Sequence, residues 1–191
     1  MDREARKNQI LRELEAESDR GCVLVAASAL DVLLEELLRT SLITDPHAVK
    51  HAVTLLFEAM GPMATFSAKI KLAYGLGLID KLHFSDLEKI RRIRNIASHE
   101  YSPMTFESQE IIEISRTLEA ADLAVRSLPL PDDKSSTTPP SETPKPHSKS
   151  SKERLRFSMS VAYVAGTLDA KSEIRESKRR SAEVPSRSHE S

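Results

Sequence analysis

Tryptophan is absent from this 191-residue chain, the other aromatics make up only 4% of it, and there are five glycines and a single cysteine. A lone Cys22 can form no internal disulfide and cannot anchor a cysteine-based zinc site, which fits a reducing compartment. It reads as a small buried apolar residue rather than a reactive thiol. The glycines never fall in GxGxxG or GxxxxGK[ST] spacing, so neither a dinucleotide fold nor a P-loop is expected, and no cofactor with them. No apolar run reaches the roughly eighteen residues of a membrane-spanning helix, and residues 1–15 are too charged for a secretory signal. A cytoplasmic protein without membrane association is the expectation. Ser28, Ser67 and Ser98 sit in no local nucleophile signature. His47 and His51 have the four-residue spacing of a two-histidine metal site, but HExxH is missing and no third ligand is near, so no metal is expected.

Charge is present in both signs but unevenly placed. Residues 1–133 carry 16 basic and 22 acidic side chains, net −6, whereas 134–191 carry 12 and 7, net +5. The near-neutral total therefore joins an acidic body to a basic tail. Seven of the ten prolines lie after residue 128. Residues 129–153 are rich in Pro, Ser, Thr and Lys, offer almost nothing to bury, and read as a disordered linker. Beyond it, Leu155, Phe157, Met159, Val161, Tyr163 and Val164 form a short patch that alternates like a strand from 155 to 163. The remainder of 154–191 reads as a mostly disordered basic tail, idle or used for docking, whose Lys178, Arg179 and Arg180 could meet nucleic acid or an acidic partner.

The first 128 residues are helical in period. Residues 2–17 place Ala5, Ile10, Leu11 and Leu14 on a narrow stripe, and Gly21 reads as an interruption. From Cys22 to Ile43 the apolar positions cover so much of the circumference that this segment must pack on more than one side, as a central helix. Asp45 before Pro46 reads as a cap for a helix running to Met60 and stopped by Gly61-Pro62. Residues 63–76 put Phe66, Ile70, Ala73 and Tyr74 on one face, with Thr65 as a cap, Gly77 as a C-terminal stop and the Tyr74 hydroxyl at the core's rim. Ser85-Asp86-Leu87-Glu88 reads as a capping box opening a helix with Leu87, Ile90, Ile93 and Ala97 inward. After Tyr101-Ser102-Pro103 one long helix is expected over about 107–127, with Ile111, Ile114, Leu118 and Ala121 among its apolar positions. No β pattern competes within this body. The expected fold is all-α: a compact bundle of about six helices with a disordered C-terminal tail.

The densest chemistry is Lys89-Ile90-Arg91-Arg92-Ile93-Arg94-Asn95-Ile96-Ala97-Ser98-His99, four cations in six residues followed by an amide and an imidazole. Lys89, Arg91, Arg92 and Arg94 are candidates for nucleic-acid contact, or for pairing with acids such as Glu88. On a regular helix Asn95 and His99 share a face, while Arg94 lies about 140° from His99. The two could converge on one phosphate if the last turn is distorted or if two copies of the helix meet across a two-fold axis. His99 could then take a proton from a ribose 2′-hydroxyl, Arg94 stabilise charge on the phosphate and Asn95 orient either group, giving metal-free RNA cleavage. Asp31, polar in an apolar helix, is a candidate orienting carboxylate, or a solvent-facing neighbour of Glu35. A histidine ending a helix is equally served by the helix's partial negative charge.

The R-N-I-A-S-H stretch resembles the Rx4–6H motif of the HEPN superfamily of helical domains, many of them dimeric ribonucleases. More selectively, residues 61–79 (GPMATFSAKIKLAYGLGLI), followed by Leu87 through His99, look like the mannitol operon repressor family, and residues 28–38 (SALDVLLEELL) are similar to it too. This likeness spans about residues 10–127. It implies an all-helical regulator, expected as a homodimer, that lowers expression of sugar-uptake operons without a recognised DNA-reading motif. With no helix-turn-helix and an acidic body, repression through a protein partner is expected, with any DNA contact left to the basic tail. The HEPN resemblance implies the alternative, a metal-independent ribonuclease using Arg94, Asn95 and His99.

Overall fold

The computed structural model describes residues 3–42, 49–99, 104–126 and 151–183. Among these there are eight helices and no strand: α1 (Arg3–Ala16), α2 (Asp19–Leu42), α3 (Val49–Phe57), α4 (Phe66–Gly75), α5 (Lys81–His99), α6 (Gln109–Arg116), α7 (Ala120–Arg126) and α8 (Lys152–Glu183). The all-α expectation holds. α2 is the central element, packed by α1, α3, α4, α5 and α8. Its Leu30, Leu34, Leu37 and Leu38 are fully buried, so most of its wide apolar circumference is packed inside one chain, while Leu24 and Val32 stay exposed.

Several boundaries fall where local hydrogen bonds put them. The break before α2 lies at Ser18 rather than Gly21, because the Ser18 hydroxyl accepts the Gly21 N–H at 3.1 Å and its carbonyl the Cys22 N–H at 2.7 Å. Thr65 caps α4 as expected, its hydroxyl accepting the Ala68 N–H at 3.2 Å. Gly77 ends that helix at φ +65°, a left-handed backbone that glycine adopts without strain. Its N–H donates to the Tyr74 carbonyl and that of Leu78 to the Ala73 carbonyl. The Asp45-Pro46 cap and the Tyr101-Ser102-Pro103 break lie outside the described residues.

Two expectations inside the body are corrected. Ser85–Glu88 does not open a helix, since α5 starts at Lys81, where the Asp80 carboxylate accepts the His83 N–H at 3.0 Å. Asp86 is instead fully buried and caps a different helix: it accepts the N–H groups of Glu119 at 3.2 Å and Ala120 at 2.7 Å. That contact divides the single helix expected over 107–127 into α6 and α7.

The larger correction concerns the C-terminal stretch. Residues 152–183 are neither strand nor disordered tail but one 32-residue helix. Phe157, Val161, Val164, Ala165 and Leu168 recur at helical spacing and are at most 2% exposed, packed among α1, α2, α6 and α7. Phe157 meets Phe106 with ring centroids 5.3 Å apart. Arginines fix the first turns. Arg154 donates to the Leu14 and Glu17 carbonyls at the end of α1 and to Asp19 at 2.7 Å, and Arg156 donates to the Ser115 and Leu118 carbonyls near the end of α6. These carbonyls lie at or beside helix ends, where intrahelical donors run out, although that of Ser115 also accepts the Leu118 N–H at 3.2 Å. The expected linker (129–153) falls mostly outside the described residues, as do the last eight residues.

Candidate functional site

α5 is amphipathic with a sharp division. Leu87, Ile90, Ile93 and Ala97 are buried as expected, together with His83 and Asp86. The outer face carries Lys81, Phe84, Ser85, Glu88, Lys89, Arg91, Arg92 and Asn95, which line a shallow depression of about 550 Å³. Phe84 stacks on the half-exposed Tyr74 ring at 4.4 Å, so Tyr74 is a surface aromatic more than a core one.

Most cations of this face are already engaged. Arg91 grips Glu88 at 2.7 Å, Arg92 reaches Glu110 at 2.9 Å, and Lys89 donates to Asp86 at 3.1 Å and to the Thr117 carbonyl. Arg94 is the one of the four with no acid partner among the described residues. It is exposed, and its guanidinium donates to the Asn95 side-chain oxygen at 3.2 Å. His99 is the exposed last residue of α5. The helix runs unbroken to that point, so Arg94 and Asn95 are brought together while Arg94 and His99 diverge within one chain.

Asp31 sits elsewhere, in an ion cluster joining α2 to α4. The Lys69 ammonium, 3% exposed, donates to Asp31 at 2.9 Å and Glu35 at 2.8 Å, and Glu35 also holds Arg39 at 2.9 Å. Arg39 in turn covers the Phe57 ring at 4.5 Å. Burial disfavours the charged lysine, yet hydrogen bonds to Glu35 and Asp31 outweigh it and hold its pKa above the ordinary value. Burial likewise disfavours the Glu35 carboxylate, but the bonds from Lys69 and Arg39 keep its pKa below the usual range.

Sequence reasoning missed Lys69, Asp86, Arg154 and His83, all buried and charged or titratable. Asp86 is the hub among them: besides capping α7 it accepts the Ser160 hydroxyl of α8 at 3.2 Å. His83 joins its Nδ1 to Asp80 at 2.8 Å, while its Nε2 is buried without a partner among the described residues. Cys22 is buried as expected, and burial pushes its thiol pKa up. His47 and the His51 side chain lie outside the described residues, and no three metal-ligating side chains gather among the rest.

The outer face of α5 and the Thr65-to-Gly77 segment preceding it lie within residues 6–143, which the mannitol repressor family model matches. The chain belongs to the mannitol repressor family. The mannitol operon repressors of Escherichia coli strains K12 and O6:H1 are each 30% identical over 110 residues, 57% of this chain and 56% of theirs. The chain thus matches little more than half the length of these curated relatives. A chain of the MtlR–HPr complex from Escherichia coli superposes with a TM-score of 0.57 at 25% identity, over 90% of this chain and 97% of that one. The possible transcriptional regulator YggD of Shigella flexneri superposes at 0.62 with 16% identity, over 86% and 98%, and shares the fold. Both structural matches take in a larger share of the chain than residues 6–143, so the mannitol repressor fold extends past the segment that the family model describes.

Proposed function

We propose that this member of the mannitol repressor family is a cytoplasmic transcriptional regulator that lowers expression of a sugar-uptake operon by contacting a regulatory protein, rather than by reading base sequence with its helical body. The observation that carries this reading is the likeness, over nearly the whole fold, to a family member solved in complex with HPr. The state of α5 supports it: a surface that neutralises its own arginines with Glu88 and Glu110 has few cations left to displace counterions from DNA. An exposed Tyr74 stacked on the partly buried Phe84, beside polar side chains, is by contrast ordinary material for a protein interface. Titration calorimetry of the full chain with HPr tests the reading, with a saturable complex expected; absence of heat and of co-elution at tens of micromolar would remove it.

A second reading keeps the HEPN-type chemistry. Arg94 and His99 are both exposed and Arg94 has no acid partner among the described residues, which favours an anion at this helix end. Because the two side chains diverge within one chain, this reading requires a homodimer in which each copy completes the other's site. Metal-free incubation with RNA, beside the His99→Ala variant, decides it: cleavage that the variant lacks supports a ribonuclease, and equal traces end the idea.

A further inference from the structure

The last third of α8 contributes no buried residue to the core. Burial along this helix recurs through Val161, Val164, Leu168 and Asp169 to Ser172, and then stops: none of the described side chains from Glu173 onward is buried. Yet the helix continues to Glu183, about 16 Å further at 1.5 Å per residue. Extending a helix that is already nucleated costs little, and the Glu176–Arg180 pair and the Ser181 hydroxyl bonded to the Ser177 carbonyl support the added turns.

The charges here differ from those of α5: Lys171 is partly buried just before Ser172, and Arg175 and Lys178 stand exposed on the extension. Lys171, Arg175 and Lys178 fall at i, i+4 and i+7, within about 60° of one another around the axis and about 10 Å apart end to end. Among the described residues none of the three forms an ion pair, whereas Arg180, on the opposite side, is taken by Glu176. Lys171 lies near Asp80 at longer range, and that carboxylate is already bonded to His83. Lys89, Arg91 and Arg92 of α5 are held by acids of the body, whereas these three, like Arg94, are not.

We infer that the Lys171–Arg175–Lys178 stripe of α8 is a phosphate-backbone contact for duplex DNA. A protein partner fits poorly, since interface centres are apolar and depleted of charge, and the one exposed large apolar side chain among the described residues here, Ile174, sits at the stripe's edge. Folded RNA fits poorly too, because its deep, narrow major groove excludes a helix, whereas that of B-form DNA, about 12 Å wide, admits one. Three cations over about 10 Å match successive phosphates along one strand, giving attachment without sequence selection. This goes beyond the protein-partner reading and stands independently of it.

The test is fluorescence anisotropy of a labelled 30-base-pair duplex with the full chain between 50 and 200 mM salt, compared with Lys171→Gln/Arg175→Gln/Lys178→Gln. These side chains are outside the core, and circular dichroism checks that the variant keeps its helix content. The full chain should bind, and the variant should lose at least tenfold in affinity at 50 mM salt. Its slope of log affinity against log salt should fall by about 2.7, at about 0.9 per phosphate contact. Lys171→Arg/Lys178→Arg should retain the wild-type slope. Absence of binding by the full chain, or equal slopes for both proteins, would overturn the inference, as would tighter binding of an RNA hairpin through the same residues. HPr binding should be unchanged in the variant, and its loss there would show the stripe to be a protein-docking surface instead.

Discussion

Asp86 shows how much one side chain can hold. Fully buried, it accepts from two backbone N–H groups at the start of α7, from Lys89 and from the Ser160 hydroxyl of α8. Removing one partner of a buried charged network strands the others, which costs about 3–5 kcal/mol. Asp86→Ala should therefore lower unfolding free energy in urea by about 3 kcal/mol or more, and Asp86→Asn, which keeps an acceptor, by less. Glu35 gives a pH dependence of definite sign. Its folded pKa lies below the unfolded value, so its contribution is fully present above the ordinary carboxylate range and is lost as pH falls through the depressed folded value. Lowering pH from 5 to 3 should lower the thermal midpoint, and Glu35→Gln should flatten that fall; an identical pH profile would show the Lys69 cluster to be energetically silent. Neither Asp86 nor Lys69 was legible as a buried group. A charged residue in a sequence reads as solvated until the acids or N–H groups that enclose it, 34 and 38 positions distant, are known.

At the scale of elements, α2 and the inward face of α5 were read correctly because their apolar periods are long and uninterrupted. Thr65 and Gly77 marked the ends of α4 because each does a job few other residues do. α8 was misread for an identifiable reason: Phe157 and Val161 are four apart, a spacing that fits both alternation and a helix. Val164 and Leu168 discriminate between the two, but the surrounding Pro/Ser/Thr-rich and basic stretches mask the pattern. The residues at stake are central. Phe157→Ala should cost about 3–5 kcal/mol, measured by chemical denaturation, and a chain ended at residue 150 should not reach the native fold. A cooperative transition of undiminished midpoint in that truncated chain would contradict the place of α8 in the core. The family signature itself was visible as residues 61–79 with Leu87 through His99, because a turn, a cap and an amphipathic face lie close together in sequence. The geometry that separates Arg94 from His99 became plain only with α5 unbroken to its end.

At the scale of the molecule, the acidic body and the basic C-terminal part are a sequence-level fact, but they divide differently in space than along the chain. Arg154 and Arg156 belong to the basic part by position and to the body by structure, since both are spent on carbonyls and acids of α1, α2, α6 and α7. Such internal pairing makes net charge a poor guide to what the surface offers a ligand.

The bond from Arg154 to the Leu14 carbonyl spans 140 residues. α1 is thus closed by α8, and at about 5–20 residues per second of synthesis α1 emerges from the ribosome roughly 7–28 s before the side chain that finishes it. Through that interval the Leu- and Ile-lined seat of α8 is bare, and a nascent polypeptide in this state is a client for holding chaperones. A cell should consequently gain regulatory capacity only from completed copies, and premature termination upstream of Lys152 should yield material for proteolysis rather than a partially active fragment.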